Sequence, residues 1–530
     1  MSIATVPTAT DGLGQMSTRV AATYPDRVAL VTPTRTLTFA ELDQDAGRLA
    51  SSLADLGVAP GDRIAIFAQN RWEWVVSYHA ILRAGAVVIP ANVMLTADEL
   101  TYMLADAGAS VLLASAERLA GVAAALRDVA SLRHVISFDE TELDTLSFTE
   151  LVAAGSVGFA ALDVDPGSLA CLAYTSGTTG RPKGAMQSQR SLVLNCALTA
   201  AMHGRTETDV VVSPLPCSHV YGNIAINGTL MVGGTVVLLE RFDPATVLGL
   251  VERHRATLLE GVPAMYAMLL DLPELAAADL TSLRRCTVGG QTIAKSVIEA
   301  WEARCGAPLL ELWGMTELSG LGTTHALHAP NVHGSIGVSL PGVEVRTVSL
   351  EDPTREAGPN EKGELVVRGP IVMLGYHNNP EATRQTIDPA GWLHTGDVAT
   401  HDGLGHFFVV DRLKDMIVTG GYNIYPAEIE RVLIGHPAVA LVAVGREPDP
   451  VKGEVAHAYV VPAARARTDT TAGMGAEADA EELLAYCRTR LAAYKVPRAV
   501  HFVDALPTTS SGKLMRRKLR QGQSTGAPDA

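Results

Sequence analysis

A chain of 530 residues, 47% hydrophobic and 19% charged, is too long for one hydrophobic core, so two or more domains are expected, one of them large. The 42 Lys and Arg against 57 Asp and Glu leave a net charge of -15, which excludes a nucleic-acid surface as the main business and makes any phosphate recognition local. Six Cys with no Cys-x-x-Cys pair and no metal-ligand spacing to His exclude a zinc or disulfide framework and read as reduced, buried thiols.

The opening stretch "MSIATVPTATDGLG" has neither a basic nor an apolar targeting region, so a cytoplasmic protein without a signal peptide is expected. Further on, "LACLAYTS" (Leu169 to Ser176) reads as a strand that runs into "YTSGTTGRPKG" (Tyr174 to Gly184). Glycines at 177, 180 and 184 lose much backbone entropy on folding, so something must approach this loop closely. Its amides, hydroxyls and Lys183 suit a polyphosphate, although it is not a Walker A loop, because no Gly precedes the Lys and no Ser or Thr follows it. The most apolar stretch, Gly228 to Glu240, is broken by glycines and shorter than the ~20 residues of a membrane span.

From Asp243 the pattern Val247, Leu250, Val251 and His254 predicts a helix; a strand over Ala256 to Leu259 and a new helix after Pro263 follow. Such units build a mostly parallel sheet covered by helices, an α/β fold. From about Ile336 short Gly-punctuated strands predict a small antiparallel subdomain, and after "DRLKD" (Asp411 to Asp415) a compact α+β texture runs to "LMRRKLR". The domain reading is therefore residues 1–411, with the β subdomain at about 336–411, a boundary at 412–414, and residues 415–530. Ala463 to Ala480 and the tail after Arg520 read as disordered. In that tail, Gly522 to Gly526 matches the G-x-S-x-G nucleophile pattern by chance, lacking a strand-to-helix turn around it.

"LWGMTE" (Leu312 to Glu317), "WLHTGD" (Trp392 to Asp397), "DRLKD", "TGGYNIYP" (Thr419 to Pro426) and "PTTSSGKLMRR" (Pro507 to Arg517) follow the Gly-rich loop in this order. Together the six motifs resemble the adenylate-forming superfamily of acyl-CoA synthetases, luciferases and peptide-synthetase adenylation domains, over nearly the whole chain. Departures are mild: Trp313 where Tyr is commoner and Thr419 where Ser is common.

The resemblance implies an enzyme that activates a carboxylic acid with ATP and Mg2+ as an acyl-adenylate, releases pyrophosphate, and passes the acyl group to coenzyme A. It places ATP on Thr175, Ser176, Gly177, Thr178, Thr179, Gly180 and Lys183, with Gly290, Gln291, Trp313, Gly314 and Met315 around the nucleotide. Glu317, helped by Thr316 and Thr178, would hold Mg2+; Asp397 would take the ribose hydroxyls, and Arg412 ribose or phosphate. A turn residue at Asp397 and a surface ion pair at Arg412 are the bland alternatives. Lys513, in a Gly-Ser loop of a small mobile C-terminal domain, would bridge carboxylate and phosphate as the two anions meet. A hinge at Lys414 would then exchange the Lys513 loop for Gly420, Gly421 and Tyr422, which line the pantetheine tunnel. A tight turn at Gly420 and Gly421 is compatible with that role.

By the same resemblance the acyl pocket is lined by His219, Val220, Tyr221, Asn223, Ile224, Gly289, Gly314 and Leu321. No Asp or Glu lies between Pro214 and Leu230 to pair an α-ammonium group, which speaks against an amino acid. Val220, Ile224, Ile226 and Leu321 suit a hydrocarbon tail, whereas Tyr221 and Asn223 suit the substituents of an aromatic ring. A medium- or long-chain fatty acid is favoured by a small margin over an aryl acid. A carrier protein in place of free CoA, or an oxidative luciferase-like reaction of the same adenylate, are the alternatives; oligomeric state is not legible.

Overall fold

The structure is a computed structural model and describes residues 12–175, 182–463, 479–507, 514, 516, 518 and 519. It divides into two compact units, residues 12–345 with 367–394, and residues 346–366 with 395–519, as far as these are described.

The first unit carries two large sheets. In one, Leu309–Met315, Arg285–Val288, Leu258–Gly261, Val210–Ser213, Thr235–Leu238 and Val28–Val31 run parallel in that spatial order. Antiparallel strands close both ends, Gly320–Thr324 and Val338–Ser339 at one and Thr36–Thr38 at the other. In the second sheet, Leu169–Thr175, Val87–Pro90, Arg63–Phe67, Val111–Ala114, His134–Ser137 and Leu146–Ser147 are parallel, and Lys183–Ser188 and Gly375–Tyr376 add antiparallel strands. These strands read as continuous apolar runs, as expected of parallel strands covered on both faces.

The predicted helix from Asp243 is observed as Pro244–Arg253, with Asp243 capping it by accepting the Thr246 N–H at 2.7 Å. The strand after it is shifted from the expected span to Leu258–Gly261, because Arg255 at φ 47° turns the chain first and Leu258 pairs with Val211. Two short segments expected in the antiparallel subdomain, Val338–Ser339 and Gly375–Tyr376, instead extend the large sheets.

A four-stranded sheet of Glu344–Ser349, Gly363–Arg368, Leu393–His401 and Phe407–Arg412, in that order, lies mostly in the second unit. That unit also holds the C-terminal sheet, Tyr422–Ile424, Ile417–Thr419, Gly453–Pro462 and Val439–Asp449, with Ala499–Phe502 parallel to Gly453–Pro462. Helices Pro426–Leu433 and Ala480–Arg488 bury Ile429, Leu433, Leu483 and Cys487 against it. Ala480 thus begins a helix, capped by Asp479, where the sequence read as disordered; residues 464–478 and 520–530, the rest of those segments, lie outside the described residues.

All six Cys are free, buried thiols. Among the described residues no helix is long and apolar enough to cross a membrane.

Candidate active site

In the first unit the Gly-rich loop is carried by an antiparallel pair, with Thr175 opposite Lys183. Gly184 is closely packed there: a Cβ would lie 2.9 Å from Leu172 Cδ1, so the Leu172 side chain would have to shift to admit it. Ser176, Gly177, Thr178, Thr179 and Gly180 lie outside the described residues. The Lys183 ammonium sits 5.2 Å from the ring centroid of Tyr376, a cation–π contact. The Tyr376 hydroxyl donates to Glu317 Oε1 at 2.7 Å, and burial beside that carboxylate raises the phenol's pKa, so it stays a donor. Lys183 and Glu317, expected to face ATP and Mg2+, are thereby joined through one aromatic residue absent from the sequence reading.

The corner bearing Glu317 is held rigidly. Gln187 Nε2 donates to the Thr316 carbonyl at 2.9 Å, and Met373 N–H to the Glu317 carbonyl at 2.8 Å. After the short turn Thr316–Leu318, Ser319 takes φ 59°, a left-handed conformation that costs about 1 kcal/mol or more for a residue with a Cβ. Buried Asn195 offsets that strain by donating to Leu318 O at 3.1 Å and Leu321 O at 2.9 Å and accepting from Leu321 N–H at 3.0 Å.

Close approach explains the glycine of "LWGMTE" and the glycine under its Trp. A Cβ on Gly314 would lie 2.1 Å from Gly320 O, and the Trp313 indole lies over Gly322, where a Cβ would meet it at 2.6 Å. Met315 ends this strand, whose pairing sets Gly314 opposite Leu321. Gly289 lies against Leu312, Gly290 turns the chain at φ 89°, and Gln291 follows it on the surface.

Of the acyl-pocket residues, His219 caps the helix Val220–Met231, its Nδ1 accepting the Tyr221 N–H at 3.3 Å. Val220 and Asn223 line a small pocket with Gln187, Leu192, Ser218 and Ser319, directly behind the Glu317 corner. Asn223 Oδ1 accepts from Tyr78 at 3.1 Å and from Asn227 at 3.2 Å. Ile224 and Ile226 are fully packed into the core. Tyr221 and Leu321 join Leu312 in a second buried cluster. The Tyr221 hydroxyl bonds Thr287 Oγ1 at 2.7 Å, Thr287 donates to Glu260, and Glu260 pairs with Arg205, both ions wholly buried.

In the second unit Asp397 and Arg412 are opposite each other in adjacent strands, with Arg412 Nε 2.9 Å from Asp397 Oδ1. The ion pair expected at Arg412 as the bland alternative therefore has the ribose candidate itself as partner. Gly420 and Gly421, at φ 53° and 83°, form a two-residue hairpin turn between Thr419 and Tyr422, a type I′ geometry. Tyr422 is exposed and stacks on Tyr494 at 4.8 Å. Lys414 lies in the turn Leu413–Asp415, its carbonyl accepting from Arg446. Lys513 lies outside the described residues.

Two family models match the chain: AMP-binding enzyme over residues 17–377, and AMP-binding enzyme C-terminal domain over residues 428–513. The chain is 41% identical to a feruloyl-CoA synthase of Amycolatopsis sp, over 96% of this chain and 99% of that one. It is 35% identical to a long-chain-fatty-acid–CoA ligase of Bacillus subtilis (strain 168), over 96% and 94%. A solved anthranilate CoA ligase in complex with anthranoyl-AMP superposes with a TM-score of 0.89 at 27% identity, covering 97% of each chain. With both models spanning most of its length, the chain belongs to the AMP-binding enzyme family, in the acyl-CoA synthetase branch of the adenylate-forming superfamily, and is an AMP-forming acid–thiol ligase.

Proposed function

We propose that the acid is aromatic and compact rather than a long-chain fatty acid. The observation that carries this is the buried polar layer behind Tyr221. A long alkyl tail gains about 0.8 kcal/mol per buried CH2 only where apolar space receives it. Here Tyr221 is tied to Thr287, Glu260 and Arg205, and breaking a buried ion pair costs about 3–5 kcal/mol, which cancels the gain from about four to six buried methylenes. Asn223 beside Val220 makes the wall of the small cavity polar rather than apolar. The small margin for a fatty acid in the sequence came from Val220, Ile224, Ile226 and Leu321; the last three are packed into the core, which leaves Val220 alone of the four on the cavity wall. The relative named for feruloyl-CoA and the structure holding anthranoyl-AMP favour the same class.

The residues present suit the expected partners. The Glu317 carboxylate, with the Thr316 hydroxyl, provides the hard oxygen donors that Mg2+ takes alongside phosphate oxygens. When bound, Mg2+ supplies charge neutralisation at the phosphates. In the first half-reaction the acid's carboxylate oxygen bonds to the α-phosphorus of ATP and the bond to the β-phosphate oxygen breaks, releasing pyrophosphate. Lys183 and the Gly-rich loop hold the departing phosphates, while Asp397 and Arg412 orient the ribose. In the second the thiolate of CoA attacks the acyl carbonyl and AMP leaves. Pyrophosphate release across a panel of hydroxycinnamic, aminobenzoic, dodecanoic and hexadecanoic acids tests the acid. At least one aromatic acid is expected to give kcat/KM tenfold or more above either fatty acid, and the reverse order overturns the proposal.

The domain boundary belongs to the same reading: residues 412–414 are a hinge about which the C-terminal part turns between half-reactions. Lys414→Pro is expected to form adenylate normally while thioester formation falls tenfold or more. Pro suits the φ of the short turn Leu413–Asp415 but fixes it there. CoA turnover at the parental rate places the hinge elsewhere.

A further inference from the structure

Around the boundary stands a cluster that the reaction as described above does not use. Asp411 is the penultimate residue of the strand Phe407–Arg412, before the hinge turn, and is 5% exposed. Beyond Lys414 come Asp415, then Glu430 on the helix Pro426–Leu433, and finally Arg516. Arg516 grips Glu430 with two nitrogens, Nη2 to Oε2 at 2.7 Å and Nε to Oε1 at 3.2 Å, and reaches Asp415 Oδ2 with Nη1 at 3.0 Å. The same Nη1 is 3.8 Å from Asp411 Oδ1. Asp411 Oδ2 accepts the Ala427 N–H at 2.7 Å, and Oδ1 accepts the N–H of Arg412, the residue paired with Asp397.

The contacts sort by side of the hinge. Arg516, Asp415 and Glu430 all follow Lys414 in the chain and can move as one body. Asp411 precedes it and is fixed by its strand, Val398 lying opposite. Two of its links therefore cross the hinge: the hydrogen bond to the Ala427 amide and the charge contact to Arg516. Neither is needed to hold Arg516, which has a bidentate partner in Glu430. One guanidinium serving three carboxylates is a marginal balance; burial pushes the Asp411 carboxyl up to about 6, against the opposing pull of Arg516 and the Ala427 amide.

We infer that Asp411 and Arg516 are positioning residues forming a latch across the hinge, one that holds a single orientation of the C-terminal part and yields when that part turns. The inference rests on the hinge reading above. It gives Asp411 and Arg516 no role in binding substrate or CoA, and it sets the balance between the two half-reactions rather than the chemistry of either.

The test uses the full chain with Asp411→Asn, Arg516→Met and the double variant. The side-chain carbonyl introduced by Asp411→Asn would still accept from the Ala427 amide, while the charge that faces Arg516 is lost. Pyrophosphate exchange reports the first half-reaction, and thioester formation from supplied acyl-adenylate the second, with circular dichroism to follow folding. Both single variants are expected to shift the ratio of the two rates at least tenfold in the same direction, and the double variant to shift it no further. An equal fall in both rates, an unchanged ratio, or multiplying shifts in the double variant overturns the latch. Should Arg516→Met fail to fold, Asp411→Asn decides alone by the same ratio. Lys414→Pro separates the two readings. If it splits the half-reactions and the latch variants do not, only the latch falls. If it does not split them, the hinge and the latch fall together.

Discussion

Lys513→Ala is expected to slow adenylation by about 10²-fold or more, some 2.7 kcal/mol of lost transition-state stabilisation, while sparing thioester formation from supplied acyl-adenylate. The carboxylate and the α-phosphate are both anions, and their approach is opposed unless a cation lies between them. Lys513 suits that task as a compact charge on a flexible stem, and it is the last residue matched by the C-terminal family model. In the second half-reaction the attacked carbonyl is already joined to AMP, so the same cation has no pair of anions to bring together. Pyrophosphate exchange and thioester formation, measured on one preparation of the variant, separate the two steps. Equal loss in both removes Lys513 from this role and makes it a binding or folding residue. Lys513→Arg sharpens the result: charge is kept but the planar fork cannot occupy the same point, so adenylation should be only partly restored.

The motifs were legible because each carries a local physical signature. Gly314 is forced by close backbone approach and Gly421 sits in a left-handed turn, so glycine marks these two constraints in the sequence, whereas the left-handed Arg255 and Ser319 carry no such mark. Charged partners brought together by distant pairing left no such trace. Tyr376 meets Glu317 across 59 positions, because Gly375–Tyr376 joins the edge of a sheet whose pairing is set elsewhere. Its segment "VMLGYHNNP" reads only as a strand end. Arg205 and Glu260 are charged residues in short loop and strand segments, and nothing in a linear pattern distinguishes a wholly buried pair from a solvated one. The acid's identity was least legible for the same reason. Ile224 and Ile226 look like pocket walls in sequence, yet both are packed into the core, while Val220 and Asn223 of the same helix line the cavity. Asp397 and Arg412 each stand in a motif of the sequence, but their pairing depends on strand register, which the spacing of 15 residues does not disclose.

Gly421→Leu and the double variant Thr178→Ala with Lys183→Ala are expected to fail in opposite half-reactions. A Cβ on Gly421 would meet nothing within 4 Å, so Leu fits sterically, and its penalty is the φ of 83°, about 1–2 kcal/mol for a residue with a Cβ. That strain at an exposed hairpin tip leaves the C-terminal core of Ile417, Ile424 and Val460 intact. Acyl-adenylate should therefore form and accumulate, with pyrophosphate exchange within about twofold of the parent, while thioester formation falls tenfold or more because a branched side chain stands where pantetheine must pass. Gly421→Asn controls for the turn, since Asn tolerates the left-handed region and relieves the strain while still placing a side chain at the tip. If obstruction is the cause, Asn also slows thioester formation; if strain is the cause, Asn restores it. The Thr178 and Lys183 variant removes a hydroxyl and the ammonium over Tyr376, leaving the Tyr376 hydrogen bond to Glu317 in place. It should raise the KM for ATP and slow pyrophosphate exchange tenfold or more, yet leave the reaction of supplied acyl-adenylate with CoA unchanged, since no pyrophosphate is present in that step. Loss of pyrophosphate exchange in folded Gly421→Leu as severe as its loss of thioester formation would reduce Gly421 to a turn residue and remove the tunnel from the hairpin.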